Sequence, residues 1–414
     1  MSRRDARAAW AAFWPRCLVV FGVAIWVTVA NFAPAGEDVA GLVGHPFSGP
    51  WPAQNLLDLV FSPLTAWDAK HYLAIAYDGY VESGEGLTPQ EYRFAFFPLY
   101  PATVGVLGGW GTSAGATLIA AYAVSLSCFF AALALLHRLV TIELGERLAA
   151  PTLLLLSFFP TAFFFGIPYS ESMFLLLAVG AFLAARTGHW ATAGVVLALA
   201  SATRVPGLLL VVPVALLYLY GPRADAEPEP ARGRRPRYRL RPDFAWLLLA
   251  PLGLLAFSLY LHFAVGNGLA WSDAQALFGR HNVDPFSGAW FGVREAGKGV
   301  VHIVEGTYQG SFDYLNVMQL AFVAFALVGG IGALRVLPVA YGVWVLVSLL
   351  PILISQTDPL PFYSAPRFVA VLFPLFIWLA IVTERRQLTT RVVAVSAAAM
   401  AVLAAQFSLW SFVA

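Results

Sequence analysis

Residues 191–220 read ATAGVVLALASATRVPGLLLVVPVALLYLY, and the only charge among them is Arg204. About 20 consecutive apolar residues carry a helix across the hydrocarbon of a bilayer. This stretch is longer than one crossing needs, and it is cut where Pro206 and Gly207 follow the arginine. It reads as two apolar segments, 191–203 and 205–220, meeting at a break. The same texture continues in both directions, with apolar runs near 17–33, 113–136, 148–167, 172–185, 244–265, 314–334, 336–355, 366–383 and 392–412. Several are shorter than a full span, so some must be tilted, joined or broken. Composition agrees: 59% of residues are hydrophobic, 12% are charged, and mean hydropathy is +0.73. The chain is predicted to be an all-α polytopic membrane protein, a single domain over 1–414 with about 11 transmembrane helices.

A net charge of +2 is too small to point to nucleic acid. Cys17 and Cys128, both inside apolar segments, offer neither a disulfide framework nor a cysteine zinc site. Arg3, Arg4, Arg7 and Arg16 precede or open the first apolar run. A signal cleaved near Ala33-Pro34-Ala35 is one reading, and an uncleaved first helix with a cytoplasmic N-terminus is the simpler one. The segment 96–110, short and carrying Pro98 and Pro101, is expected to be interfacial or re-entrant.

Arginine-rich short loops stay on the cytoplasmic side. The clearest is 232–241, and 137–147, 186–189, Arg335 and 384–391 are basic too. Placing these inside puts the loop 34–95, the Tyr169-Ser170-Glu171-Ser172 turn, Arg204, the loop 266–313 and the segment 356–367 on the opposite face of the cell membrane. Every unusual polar residue then lies on one side. Residues 221–243, rich in Pro, Glu, Ala and Arg, read as a flexible cytoplasmic linker touching anionic lipid. The loop 266–313 is expected to form short surface helices, with Trp271, Phe278, Phe286, Trp290 and Phe291 as an amphipathic cap or a simple aromatic anchor.

Beside the first apolar run stand Trp67-Asp68-Ala69-Lys70-His71-Tyr72, Tyr77-Asp78-Gly79-Tyr80 and Arg93-Phe94-Ala95-Phe96-Phe97-Pro98-Leu99-Tyr100-Pro101. Asp68 opens a segment suited to a helix lying on the membrane surface. It reads either as an N-cap or as a general base that takes a proton from an attacking hydroxyl, and both can hold at once. Glu171 is a first-turn acid or a cavity-facing carboxylate. Arg204 is a snorkelling turn residue or an anion ligand, since its planar fork suits phosphate oxygens. Arg367 opens another span as an interfacial anchor or a second phosphate candidate. There is no His-Glu-x-x-His, no Asp-x-Asp pair and no P-loop. One histidine, His71, near Asp68 and Asp78 is weak ground for a metal, so no metal or other cofactor is expected.

Trp67-Asp68 with His71, Phe94 to Pro101, Tyr169 to Ser172, Ala202-Thr203-Arg204 with Gly207, and Arg367-Phe368 with Pro374 resemble the PIG-V-type mannosyltransferases. These are polytopic GT-C glycosyltransferases that include the enzyme adding the second mannose in GPI-anchor assembly. The resemblance implies a GT-C fold and inverting transfer of mannose, on the non-cytoplasmic face, from polyprenyl-phosphate-mannose to a hydroxyl of a lipid-linked or cell-envelope acceptor. It makes Asp68 the general base, Arg204 and Arg367 the donor-phosphate ligands, and Trp67, His71, Arg93, Tyr169 and Glu171 substrate-binding or supporting residues. The rival reading is a membrane carrier or lipid-glycan flippase, in which Glu171, Arg204 and Arg367 line a translocation path.

Overall fold

The structure, a computed structural model, describes residues 2–30, 56–81, 90–230, 235–307 and 311–413. The candidate cleavage site and much of the loop 34–95, at residues 34–55 and 82–89, lie outside the described residues. Each apolar run of the sequence is helical over most of its described residues. Among the described residues, five helices are long and apolar enough to cross a membrane: Arg3–Val29, Ala114–Leu144, Pro242–Val265, Phe312–Val336 and Thr389–Ser408. The other runs are shorter or interrupted, such as Trp190–Ser201, Val339–Ile354, and Ala365–Ala370 followed by Pro374–Arg385. A 12-residue helix covers only about 18 Å at 1.5 Å per residue. These pieces pack among the long helices, so the polytopic all-helical class holds while only some runs are full spans in their own right.

The break at Arg204 forms as its residues dictate. Trp190–Ser201 ends, and the next helix, Pro206–Leu209, begins on Pro206, whose missing N–H and fixed φ suit the first helical position. Gly207 lies so close to the preceding turn that a Cβ there would be 2.0 Å from the Ala200 carbonyl oxygen. The Ala202 carbonyl freed at the break accepts the Leu99 N–H at 3.0 Å. That bond ties the break to Leu99–Gly108, a 10-residue helix too short to cross a bilayer.

Several local expectations are corrected. Asp68–Asp78 does not lie on the surface with one face to lipid, because His71 through Ala76 are all buried against Leu99–Gly108 and Ala114–Leu144. The described parts of the linker, residues 221–230 and 235–243, are held against the bundle. Leu219 accepts the Arg237 and Tyr238 N–H groups, Ala224 donates to Arg186, and Arg223 is caged by the Trp190 and Tyr218 rings at 4.7 and 4.1 Å. The second loop holds one 21-residue helix, Pro285–Glu305, instead of only short ones. Asp284 caps it by accepting the Phe286 and Ser287 N–H groups, and Gly306 ends it with φ 70. Phe286 and Trp290 are exposed on it as an anchor should be, but Trp271 and Phe278 turn inward. That loop also supplies the one strand pairing among the described residues, Arg280–Asn282 antiparallel to Ser355–Thr357.

Candidate active site

Four separate segments deliver charged side chains to one place. Asp68 and Glu171 are each the first residue of a helix, Asp68–Asp78 and Glu171–Arg186. There the free N–H groups and the helix dipole favour a carboxylate. Asp68 is therefore the first helical residue rather than the N-cap, which is Trp67 and makes no side-chain cap. Tyr169 does that work from outside the helix. Its hydroxyl accepts the Asp68 N–H at 3.2 Å and donates to the Ala66 carbonyl at 3.1 Å. Trp67 itself sits at φ 60, ψ −122, a conformation that costs a bulky residue about 1–3 kcal/mol. Its ring stacks edge-on against Phe412 at 5.4 Å and is partly exposed at the rim of the site.

Arg367 comes from the short helix Ala365–Ala370, entered through Ser364 in a left-handed conformation. Its Nη1 lies 2.5 Å from Asp68 Oδ2 and 3.6 Å from Glu171 Oε1. Its Nη2 donates to the Ser364 hydroxyl at 3.2 Å. Arg204 reaches from the helix break to within 2.8 Å of the same Glu171 oxygen. That contact lacks the alignment of a hydrogen bond, so the attraction is ionic. The Phe368 ring lies 4.6 Å from one guanidinium and 5.2 Å from the other. Charges thus alternate along Arg204, Glu171, Arg367 and Asp68. A buried charge is costly unless paired, which is why all four persist together.

The two carboxylates differ in access. The Glu171 side chain is 1% exposed and wedged between both arginines. Asp68 keeps 19% of its side-chain surface open, so of the two it alone can meet an incoming hydroxyl. Partial burial pushes the Asp68 carboxyl up, but Arg367, with His71 and Arg280 behind it, outweighs burial and holds it below the ordinary carboxylate value.

Of the other expected site residues, His71 is buried one turn along from Asp68. Its ring stacks on Phe96 at 4.9 Å and meets the Phe278 edge at 5.9 Å. No group of three or more His, Cys, Asp and Glu side chains gathers among the described residues. Arg93 is not brought to the cluster. It lies at the far end of the helix, donating to the Gly79 carbonyl at 2.9 Å and standing 3.6 Å from Asp78, about 15 Å away at 1.5 Å per residue. Two cations that sequence reasoning passed over do belong here: Lys70, two residues after Asp68, and Arg280, which lies over the Tyr363 ring at 5.3 Å and close enough to Asp68 to lower its pKa. Arg280 carried one signal, a basic residue in a loop assigned to the face where arginine is scarce.

Beside the break lies an apolar groove of 460 Å³, lined by Ile75, Tyr80, Ala202, Gly253, Phe257 and Tyr260 among others. Ala202 connects it to Arg204, two residues on.

This is a polytopic helical membrane protein with a carboxylate–arginine cluster where its short helices begin and break. The sequence model described as mannosyltransferase (PIG-V) matches residues 13–219, half of the chain, and the chain belongs to the PIG-V mannosyltransferase family. GPI alpha-1,6-mannosyltransferase 2 of Mus musculus is 29% identical over 165 residues, and that of Rattus norvegicus 30% over 170. Each match covers 38% of this chain and 32% of the relative, so it spans about a third of those relatives' length. Among solved structures, the oligosaccharyltransferase of Archaeoglobus fulgidus with zinc and sulfate aligns with a TM-score of 0.42 at 13% identity, over 95% of this chain and 53% of that one. Archaeal AglB from the same organism, with an inhibitory peptide and a dolichol-phosphate, gives 0.41 at 12% identity, over 96% and 56%.

Proposed function

We propose that this chain is an inverting GT-C mannosyltransferase that moves mannose from polyprenyl-phosphate-mannose to a hydroxyl of a lipid-linked or cell-envelope acceptor on the non-cytoplasmic face, with the N-terminus in the cytoplasm. Asp68 accepts the proton of the attacking hydroxyl. The acceptor hydroxyl oxygen bonds to the mannose C1, the C1–O bond to phosphate breaks with its electron pair going to the phosphate oxygen, and configuration inverts. Phosphate leaves as an anion without protonation, so arginines at the departing oxygens serve in place of an acid. Arg204 and Arg367 face that charge, and Glu171 fixes both of them. The apolar groove beside Arg204 suits an isoprenoid chain entering from lipid.

The observation that carries this reading is Asp68, the more accessible of the two carboxylates in the cluster, held ionised beside arginines at the edge of the helical bundle. The test is to incubate the purified protein with polyprenyl-phosphate-mannose and a membrane lipid extract, with and without chelator, and identify the mannosylated product. Formation of an α-mannoside supports the proposal. Movement of the intact donor across sealed vesicles with no transfer would replace it by the carrier reading, and loss of transfer on chelation would add a metal.

A further inference from the structure

Arg16 stands with Arg3, Arg4 and Arg7 in the sequence, yet the fold separates it from them. Those three are exposed, whereas Arg16 is fully buried, about 20 Å along Arg3–Val29 at 1.5 Å per residue. An arginine at such depth persists only with partners, and no carboxylate pairs with this one among the described residues. Its partners are backbone carbonyls. Nη2 donates to Ala162 at 2.5 Å and to Phe163 at 3.0 Å, and the guanidinium lies 5.1 Å from the centre of the Phe129 ring, which stacks on Phe165 at 4.9 Å. Gly166 leaves the room for it, since a Cβ there would stand 2.3 Å from Nη1. The need arises in the chain between Glu146–Ser157 and Glu171–Arg186, whose one regular element is the 3-10 helix Ala162–Gly166. Irregular backbone inside a membrane bundle must take its hydrogen-bond partners from protein. Arg16 supplies two of them.

The front of the same segment meets the charge row. Thr161 donates its hydroxyl to the carbonyl of Pro366, the residue before Arg367, at 2.9 Å. Phe164 packs on the Tyr169 ring at 5.1 Å, and the Tyr169 hydroxyl accepts the Asp68 N–H. The segment then runs into Glu171, which faces Arg204 and Arg367. We propose that Arg16 is a positioning residue for the charge row: by clamping Ala162 and Phe163 from behind, it sets where Arg367 and Asp68 stand relative to Glu171. The effect on rate rests on the reading of the chain as a transferase; the effect on the Asp68–Arg367 contact does not. A displacement of about 1 Å caused far from the chemistry can cost about 10²-fold in rate. Loosening the clamp also weakens the attraction by which Arg367 holds the Asp68 carboxyl down, while the burial that pushes it up remains. The other groups acting on that carboxyl, His71, Lys70 and Arg280, are carried by Asp68–Asp78 and the strand Arg280–Asn282 rather than by the clamped segment.

The test compares full-length wild type with R16M, which removes the clamp, R16K, which keeps the charge, and G166A, whose methyl pushes the guanidinium off the carbonyls. Mannose transfer from polyprenyl-phosphate-mannose gives kcat and the donor KM. The Asp68 carboxyl is titrated separately, without substrate, by carbon NMR of carboxyl-labelled aspartate, its signal assigned by difference from D68N. R16M is expected to lower kcat by about 10- to 100-fold with the donor KM changed less than about threefold, G166A to follow it in part, and R16K to lie closer to wild type. The proton affinity of Asp68 should rise about tenfold in R16M, as it does when an opposite charge draws back. A kcat within about threefold of wild type and an unmoved Asp68 titration in both R16M and G166A would overturn the assignment, and so would folded variants whose only change is a lower unfolding temperature. If R16M does not fold, G166A and R16K decide by the same criterion. The two claims fail apart from each other. Transfer by wild type with kcat and titration unmoved in the variants removes the Arg16 role alone, whereas a moved titration with no transfer by wild type removes the transferase reading alone.

Discussion

Asp68→Asn replaces one carboxylate oxygen by an amide nitrogen, keeping the shape of the side chain while removing its ability to take a proton. A positioned general base contributes about 10²–10⁴ in rate, which is about 3–5 kcal/mol of barrier. The substitution also takes from Arg367 its partner at 2.5 Å, but Glu171 remains at 3.6 Å. Destabilisation should therefore fall short of the roughly 3–5 kcal/mol expected when a buried charge loses every partner, and the protein should still purify as a folded species. The assay is initial-rate mannose transfer at saturating polyprenyl-phosphate-mannose, beside a thermal unfolding curve of the same sample. The expected result is a folded protein whose turnover is down at least a hundredfold. Turnover within threefold of wild type would refute the base assignment, because no other accessible carboxylate stands in the cluster as described.

Glu171→Gln keeps the size of a buried side chain but leaves Arg204 without its carboxylate, and a stability loss of about 3–5 kcal/mol is expected in denaturant or thermal unfolding; an unchanged midpoint would show that the Arg204–Glu171 pair is not needed to hold the break. The pH dependence follows from the lowered Asp68 carboxyl. A depressed group is ionised above its folded pKa, so transfer should stay level from pH 8 down through about 5 and fall only below the ordinary aspartate value of about 3.9. The stability contributed by the Asp68–Arg367 pair is present above that unfolded value and lost as pH drops through the lower folded one. A rate profile with its acid limb near pH 6 would point to a different base.

How far the sequence was readable depended on the range of the signal. The break at Arg204 is written locally in Pro206 and Gly207, and the helix starts at Asp68 and Glu171 in residues that favour helix N-termini. Charge placement along the chain leads only to the expectation that they share one face with Arg367; the contacts among them are visible only in the fold. The Arg280 ladder was not legible, because it depends on pairing residues 280–282 with 355–357, and three-residue strands leave no alternating pattern to detect. Arg93 was placed with the site because it shares a polar stretch with Asp68. The helix between them separates the two, and Arg93 braces the other end of it. The linker looked free in composition, yet a caged arginine and a few backbone bonds hold the described parts of it against the bundle.

The alternating row of Arg204, Glu171, Arg367 and Asp68 also bears on how the chain is made. Glu171 and Arg204 stand at the beginning of one helix and the break after the next, so they can neutralise each other once that short hairpin is in place. Asp68 must wait until most of the chain has been synthesised before Arg367 arrives. Until then its carboxylate has no fixed counter-ion in the row, and a chain cut short before Ala365 would keep it so. An incomplete chain would thus carry at Asp68 a carboxylate that lacks the arginine partner it has in the finished one.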